Sequence, residues 1–269
     1  MTKLVWTTDP HLNFVDDSAF DVFVGQVEAV KASAMVITGD IAEAPSLVRE
    51  LQRLYKRTGL PIYYVLGNHD FYRGSIQETR RTARKLSLAN KNITWLRDQV
   101  VSLDETWGMV GTDGWGDARY GNYEASSVEL NDQRLIAEFH AVQASLIYRE
   151  KLYVCRRLGD EEAASLRKPL FEALATFPKV LVLTHVPPFA EAAWHEGAQS
   201  NPNWLPWFSC KAVGDLLLEA AQAHPDKTIR VLCGHTHGSG HYQALPNLEV
   251  HTGHADYRSA FAVVVEVAC

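Results

Sequence analysis

A chain of 269 residues, 46% hydrophobic and 22% charged, has the composition of an ordinary globular protein, which excludes the disordered and membrane classes. A body of that size buries roughly three quarters of its unfolded surface. The net charge of −6 argues against a broad nucleic-acid footprint, which needs a basic face to neutralise phosphates. Cys155, Cys210, Cys233 and Cys269 show neither CxxC nor zinc-ribbon spacing, so they read as reduced thiols. The opening MTKLVWTTD enters a strand at once, which leaves no room for a signal peptide. No apolar run reaches the roughly 20 residues of a membrane span. The expectation is a cytoplasmic protein with no membrane partner.

Apolar runs with strand character occur at KLVWTT (3–8), AMVITG (34–39), IYYVLG (62–67), KVLVLT (179–184), TIRVLC (228–233) and FAVVVEVA (261–268). Helical patterns lie between several of them. Phe20, Phe23, Val24, Val27 and Val30 recur at three- and four-residue steps over 18–32, and Leu47, Leu51 and Leu54 do so in APSLVRELQRLYKR. Further helices are expected at 75–89, 128–147, 160–176 and 211–223. Two segments, 112–127 and 186–209, break the alternation with Gly, Pro and aromatic residues, and loops of this length in a compact domain are usually functional. No repeat or flexible linker divides the chain, so one domain spanning 1–269 is expected, with these two segments as insertions.

The chemistry gathers where the strands end. LVWTTDPH ends in Asp9 and His11, MVITGD in Asp40, IYYVLGNHD in Asn68 and His69, VLVLTH in His185, and IRVLCGHTH in His235 and His237. Ligands of α/β proteins collect at the carboxyl ends of strands. Adjacent parallel strands would therefore bring two carboxylates, an amide oxygen and five imidazoles into one crevice. Asp, Asn and His ligation without cysteine suits Mn²⁺, Fe²⁺/³⁺, Zn²⁺, Co²⁺ or Ni²⁺. The ligands outnumber the needs of one ion. Two divalent ions set against two carboxylates and a bridging hydroxide leave a residual positive charge for an anionic substrate.

DxH at Asp9–His11, GD at Gly39–Asp40, GNHD at Gly67–Asp70, the strand-end His185 and GHTH at Gly234–His237 together resemble the calcineurin-like metallophosphoesterase superfamily, over residues 9–237. The resemblance implies a four-layer αββα sandwich of two mixed sheets, with a binuclear metal site at the strand C-terminal ends. It implies one ion held by Asp9, His11, Asp40 and His237 and a second by Asp40, Asn68, His185 and His235, with Mn or Fe favoured. It implies His69 as catalytic histidine, beside a metal-bridging hydroxide that attacks phosphorus. The family pattern has an acidic residue three positions after the GD aspartate, usually Asp; here Glu43 stands there and is expected to orient His69. Arg73 is a candidate to hold a phosphate oxygen. The implied activity is a phosphodiesterase or phosphatase acting on a small organic phosphate. Protein phosphatase, nuclease and non-catalytic scaffold roles stay open, as does the oligomeric state. Trp115, Tyr120, Trp194, Trp204 and Trp207 either form an aromatic platform for substrate or pack the long loops. His195, His241, His251 and His254 could also reach the crevice.

Overall fold

The computed structural model describes residues 2–139, 148–256 and 263–267. His140, the end of the helix expected over 128–147, and Cys269 lie outside them. Two mixed sheets form the middle of the molecule. The first has the order β13-β1-β2-β3-β4, built from Thr2–Thr7 (β1), Ala34–Thr38 (β2), Ile62–Val65 (β3), Ile93–Trp95 (β4) and Val263–Val267 (β13). β1 to β4 run parallel, and β13 pairs antiparallel with β1. The second has the order β11-β12-β10-β7-β6-β5, from Val101–Ser102 (β5), Trp107–Gly111 (β6), Lys179–Leu183 (β7), Thr228–Cys233 (β10), Gly240–Leu245 (β11) and Leu248–Thr252 (β12). Here β6, β7, β10 and β12 are parallel, and the hairpin strands β5 and β11 are antiparallel.

Period-two alternation separates the layers. Leu4, Trp6, Ala34 and Val36 of the first sheet pack with Trp107, Met109, Leu181, Leu183 and Leu232 of the second, forming the core between the sheets. The alternate residues Val5, Met35, Ile37, Ile62 and Tyr64 face outward onto helices α1 (Asp17–Val30), α2 (Leu47–Thr58) and α3 (Ile76–Ala89). On the other side Val180, Val182, Ile229 and Val231 meet α5 (Tyr148–Thr176) and α7 (Lys211–Ala223). This is the helix–sheet–sheet–helix arrangement expected from the sequence. Local signals start and stop its helices: the Asp16 side chain accepts from Ala19 N at 2.8 Å before α1, and α2 ends on Gly59 at φ 67°.

Several boundaries differ from expectation. α5 begins at Tyr148 rather than near 160, and in the described part of 128–147 helix is confined to the short helix α4 (Asp132–Leu135) and to residues 137–139. The apolar runs do not reveal β4, β5, β6, β11 or β12. β6 carries Gly108 and Gly111, which lie against Phe177 and against Val65 and Leu96, so its pattern looks broken. β11 alternates half-buried and exposed residues at the sheet edge. The insertion 186–209 holds the small hairpin β8–β9 (Trp194–His195, Ala198–Gln199) and the short helix α6 (Leu205–Phe208). No described helix is long and apolar enough to cross a membrane. Cys155, Cys210 and Cys233 are buried free thiols.

A buried ionic joint ties the sheets together beneath the strand ends. Glu162 on α5 takes Arg97 at 2.6 Å and also pairs with Arg80, while Thr112 Oγ1 and Asp113 N donate to it at 2.5 and 3.0 Å. Asp113, just after β6, accepts from Leu66 N at 3.0 Å and Trp95 Nε1 at 2.9 Å, which anchors the chain immediately before Asn68. Burial alone would raise the Glu162 carboxyl, but Arg80 and Arg97 more than reverse this and hold it below its ordinary range. Its stabilisation is therefore present at neutral pH and is lost as pH falls through its folded value. Replacing one partner of such a buried pair leaves the others uncompensated, so Glu162→Ala should cost about 3 kcal/mol or more in urea unfolding at pH 7. The difference from the parent should shrink toward acid; an equal difference at all pH values would contradict this account of the joint.

Candidate metal centre

The predicted ligands stand on tight turns at the ends of β1, β2, β3, β7 and β10. Five of these turns' residues adopt left-handed backbone: Asp9 (φ 48°), His11 (41°), Asp40 (51°), His235 (69°) and His237 (60°). Non-glycine residues enter this region at a cost of about 1 kcal/mol or more each, so the surrounding hydrogen bonds must impose it. Asp9 N donates to Gly39 O at 3.1 Å and His11 N to Asp40 O at 3.0 Å, which links the first two turns. Asp70 Oδ1 accepts from Ile41 N and Ala42 N at 2.8 and 2.9 Å, and its Oδ2 from Gly67 N at 2.8 Å, which links the second and third. Burial pushes the Asp70 carboxyl up to about 7 in spite of these three donors. A Cβ on Gly39 would lie 2.5 Å from His185 Nδ1 and 2.7 Å from Gly67 N, and one on Gly67 would strike Asp40. Glycine is required at both positions because backbones and ligands approach so closely.

The seven expected ligands converge. One group brings ligand atoms of Asp9, His11 and His237 within 4.8 Å of one another, a second those of Asp9, Asp40 and His185, and a third those of His11, Asp40 and His69. His237 Nε2 is 3.4 Å from Asp9 Oδ1, and His11 Nε2 is 3.9 Å from Asp40 Oδ2. On the other side His185 Nε2 is 3.4 Å from Asp40 Oδ1 and 3.1 Å from Asn68 Oδ1, while His235 Nδ1 is 3.0 Å from Asn68 Oδ1 and 3.1 Å from His185 Nε2. Asp40 lies between the two sets.

Protons can be assigned at the second set from the outer partners. His185 Nδ1 faces Thr38 O at 2.8 Å and His235 Nε2 faces Trp207 O at 3.1 Å. A carbonyl only accepts, so each of these nitrogens carries the N–H and the opposite ring nitrogen is left with a lone pair. Asn68 Nδ2 donates to Asp132 Oδ1 at 2.8 Å and to Tyr72 Oη at 3.2 Å, which turns its Oδ1 toward the imidazoles. Three electron pairs thus point at one spot, their atoms 3.0–3.1 Å apart. Ligand atoms held about 2.1 Å from an ion at right angles would be about 3 Å apart, so the donor set fits a divalent cation.

The electrostatics agree. Burial lowers the His185 imidazole, and burial with His185 nearby pushes His235 down to about 3, so neither takes up a proton to relieve the crowding. Burial also pushes His11 down to about 4. Asp9 is held well below the carboxylate range: burial opposes this, but His237, His185 and His11 outweigh it. Burial and the charge of Asp9 push Asp40 up. Two buried carboxylates that cannot both ionise alone are what a pair of cations would discharge.

The other expected residues divide. His69 Nε2 lies 3.8 Å from Asp40 Oδ2, and its ring stacks on Tyr72 at 4.2 Å. Burial and His11 push it down to about 2. Glu43, expected to orient it, instead has Oε2 3.0 Å from Arg73 Nε. Arg73 adopts left-handed backbone (φ 62°) after the His69 turn, which carries its guanidinium to Glu43. A cavity of about 260 Å³ opens over the ligands and is lined by His69, Tyr72, Glu129, Asn131, His195 and Trp204 among others; neither Glu43 nor Arg73 is among them. His195 reaches this rim with Nδ1 2.8 Å from Thr236 O. Of the aromatic residues, Trp204 stacks on Phe208 at 4.9 Å and faces the cavity. Trp115 is buried against Phe71, and Trp207 packs on Tyr123. His254 is exposed. Asp70, Asp113 and Asp132 are not among the residues the sequence singles out, and only Asp70 carries a signal, as the last residue of GNHD.

A model of the calcineurin-like phosphoesterase family matches residues 2–239, and the chain belongs to that family. No curated protein matches it. Among solved structures it is similar to phosphopantetheinyl hydrolase from Mycobacterium tuberculosis, with 14% identity, TM-score 0.63 and coverage of 94% of this chain and 89% of that one. A dimetal phosphatase from Danio rerio has 14% identity and TM-score 0.55 over 93% and 86% of the chains. A protein from Thermus thermophilus has 18% identity and TM-score 0.52 over 99% of each. At these identities the likeness is one of fold.

Outer partners of metal ligands set affinity through orientation, and removing one typically costs about 10–100-fold. Asp132→Ala frees the Asn68 amide to turn and should weaken Mn²⁺ binding at one site by about 10-fold or more, read by titration with an ion-sensitive dye. Unchanged affinity would show that Asp132 does not orient Asn68.

Proposed function

We propose that this protein is a binuclear metallophosphoesterase that hydrolyses a small organic phosphoester. The observation that carries the reading is the convergence of the Asn68, His185 and His235 electron pairs beside Asp40, with Asp9, His11 and His237 on its other side. Asp9, His11, Asp40 and His237 would hold one ion, and Asp40, Asn68, His185 and His235 the other, with Mn or Fe favoured. Bound ions of this kind supply Lewis acidity, activating water and neutralising phosphoryl oxygens.

The chain's own groups do the rest. His69 faces the cavity beside Asp40, where its neutral ring can donate an N–H hydrogen bond to a phosphoryl oxygen. Tyr72 holds the ring in place by stacking and is itself fixed by donating to Asp132 at 2.7 Å. The cavity volume of about 260 Å³ favours a small leaving group over a protein or nucleic-acid chain. Trp204, with His195 beside it, offers a flat wall for that group. The free thiols of Cys155, Cys210 and Cys233 support a cytoplasmic location, where cysteines stay reduced.

The test is an assay with added Mn²⁺ against paired aryl phosphomonoester and phosphodiester substrates. His69→Ala should lower the rate about 10²–10⁴-fold while metal content stays the same. Hydrolysis unaffected by this change, or none with both ions bound, would contradict the proposal.

A further inference from the structure

Two histidines that the sequence places within reach of the crevice lie elsewhere. His241 on β11 and His251 on β12 are opposite one another in the antiparallel register, and Glu249 is two residues from His251 on the same face. His241 Nε2 and His251 Nε2 each stand 3.4 Å from the same oxygen, Glu249 Oε2, and all three ligand atoms fall within 4.8 Å of one another. None of the three lines the catalytic cavity.

We infer that His241, Glu249 and His251 form an accessory site for one borderline divalent cation, of which Zn²⁺ is the best fit. The spacing is the first argument. A four-coordinate ion with bonds of about 2.0–2.1 Å places its ligand atoms about 3.4 Å apart, whereas an N–H···O hydrogen bond would close to about 2.7–3.2 Å. The second is orientation. Arg230 Nε donates to the other carboxylate oxygen, Glu249 Oε1, at 2.5 Å, so the carboxylate is held and Oε2 faces the imidazoles. The third is that His251 Nε2 is buried and forms no hydrogen bond of ordinary geometry among the described residues. The side chains of His241 and His251 are 47% and 35% exposed, so an ion can enter from solvent.

Two imidazoles and one carboxylate suit Zn²⁺, Co²⁺, Ni²⁺ or Cu²⁺ rather than the oxygen-seeking Mg²⁺ or Ca²⁺. The nearby Arg230 charge makes this site weaker than the binuclear centre, where Asp9 and Asp40 bring two negative charges. Bound there, an ion would clamp the edge strand β11 to β12. That hairpin packs against the aromatic insertion, since a Cβ on Gly238 or Gly240 would meet Trp194.

Equilibrium dialysis of the full chain against Zn²⁺, followed by metal analysis, tests the site. His251→Ala and Glu249→Gln should each hold about one ion fewer per chain than the parent. Both should keep its Mn²⁺-supported hydrolysis and lose the part of its Zn²⁺-dependent rise in Tm that this site supplies. Equal zinc content in parent and variants would overturn the inference. A second measurement does not depend on the variants folding: crystals of the parent grown with Zn²⁺ should show a zinc-edge anomalous peak between the three side chains, and its absence would equally overturn it.

Discussion

Between Asn68, His185 and His235 three electron pairs meet with no proton to share, and much of the structure serves to keep them there. Each pair is fixed from behind by a different part of the chain: His185 by the carbonyl ending β2, His235 by the carbonyl of Trp207 in the aromatic insertion, Asn68 by Asp132 at the start of α4. Neutral donors pressed to 3.0–3.1 Å repel unless a cation lies among them. The arrangement is therefore preorganised for an ion, with most of the ordering cost met during folding.

The turns that carry the ligands are strained, and the double sheet sustains the strain. Left-handed backbone at Asp9, His11, Asp40, His235 and His237 is concentrated where the two sheets present their carboxyl ends to one another. The core between the sheets and the ionic joint of Arg80, Arg97, Asp113 and Glu162 hold those ends in register. Such turns aim side chains sideways into a shared crevice, which an extended strand end would not do. Strain kept at a site by an over-determined surrounding is a common accompaniment of function.

The strand-end motifs are legible in sequence because fully buried parallel strands read as apolar runs, so an Asp, Asn or His directly after one is conspicuous. Gly39 is legible too, as a position where a side chain would obstruct the ligands. Asp113 is hidden because β6, which delivers it, is interrupted by glycines and does not look like a strand. Asp132 is hidden because a carboxylate in a polar helical stretch ordinarily faces water, and only the fold turns it onto Asn68. The partnership of Glu43 with Arg73 is not visible either, since it depends on the left-handed backbone at Arg73. The pairing of His241 with His251 needs the register of an edge hairpin whose strands carry little apolar signal.

In the proposed centre, Asp40 joins two ions held by the two halves of one site. Electron paramagnetic resonance of the Mn²⁺-loaded protein tests it most directly, because two ions sharing a carboxylate are magnetically coupled while separate ions are not. The expected result is a coupled-pair spectrum that becomes that of an isolated ion in His185→Ala. An isolated-ion spectrum in the unaltered protein at saturating Mn²⁺ would contradict it.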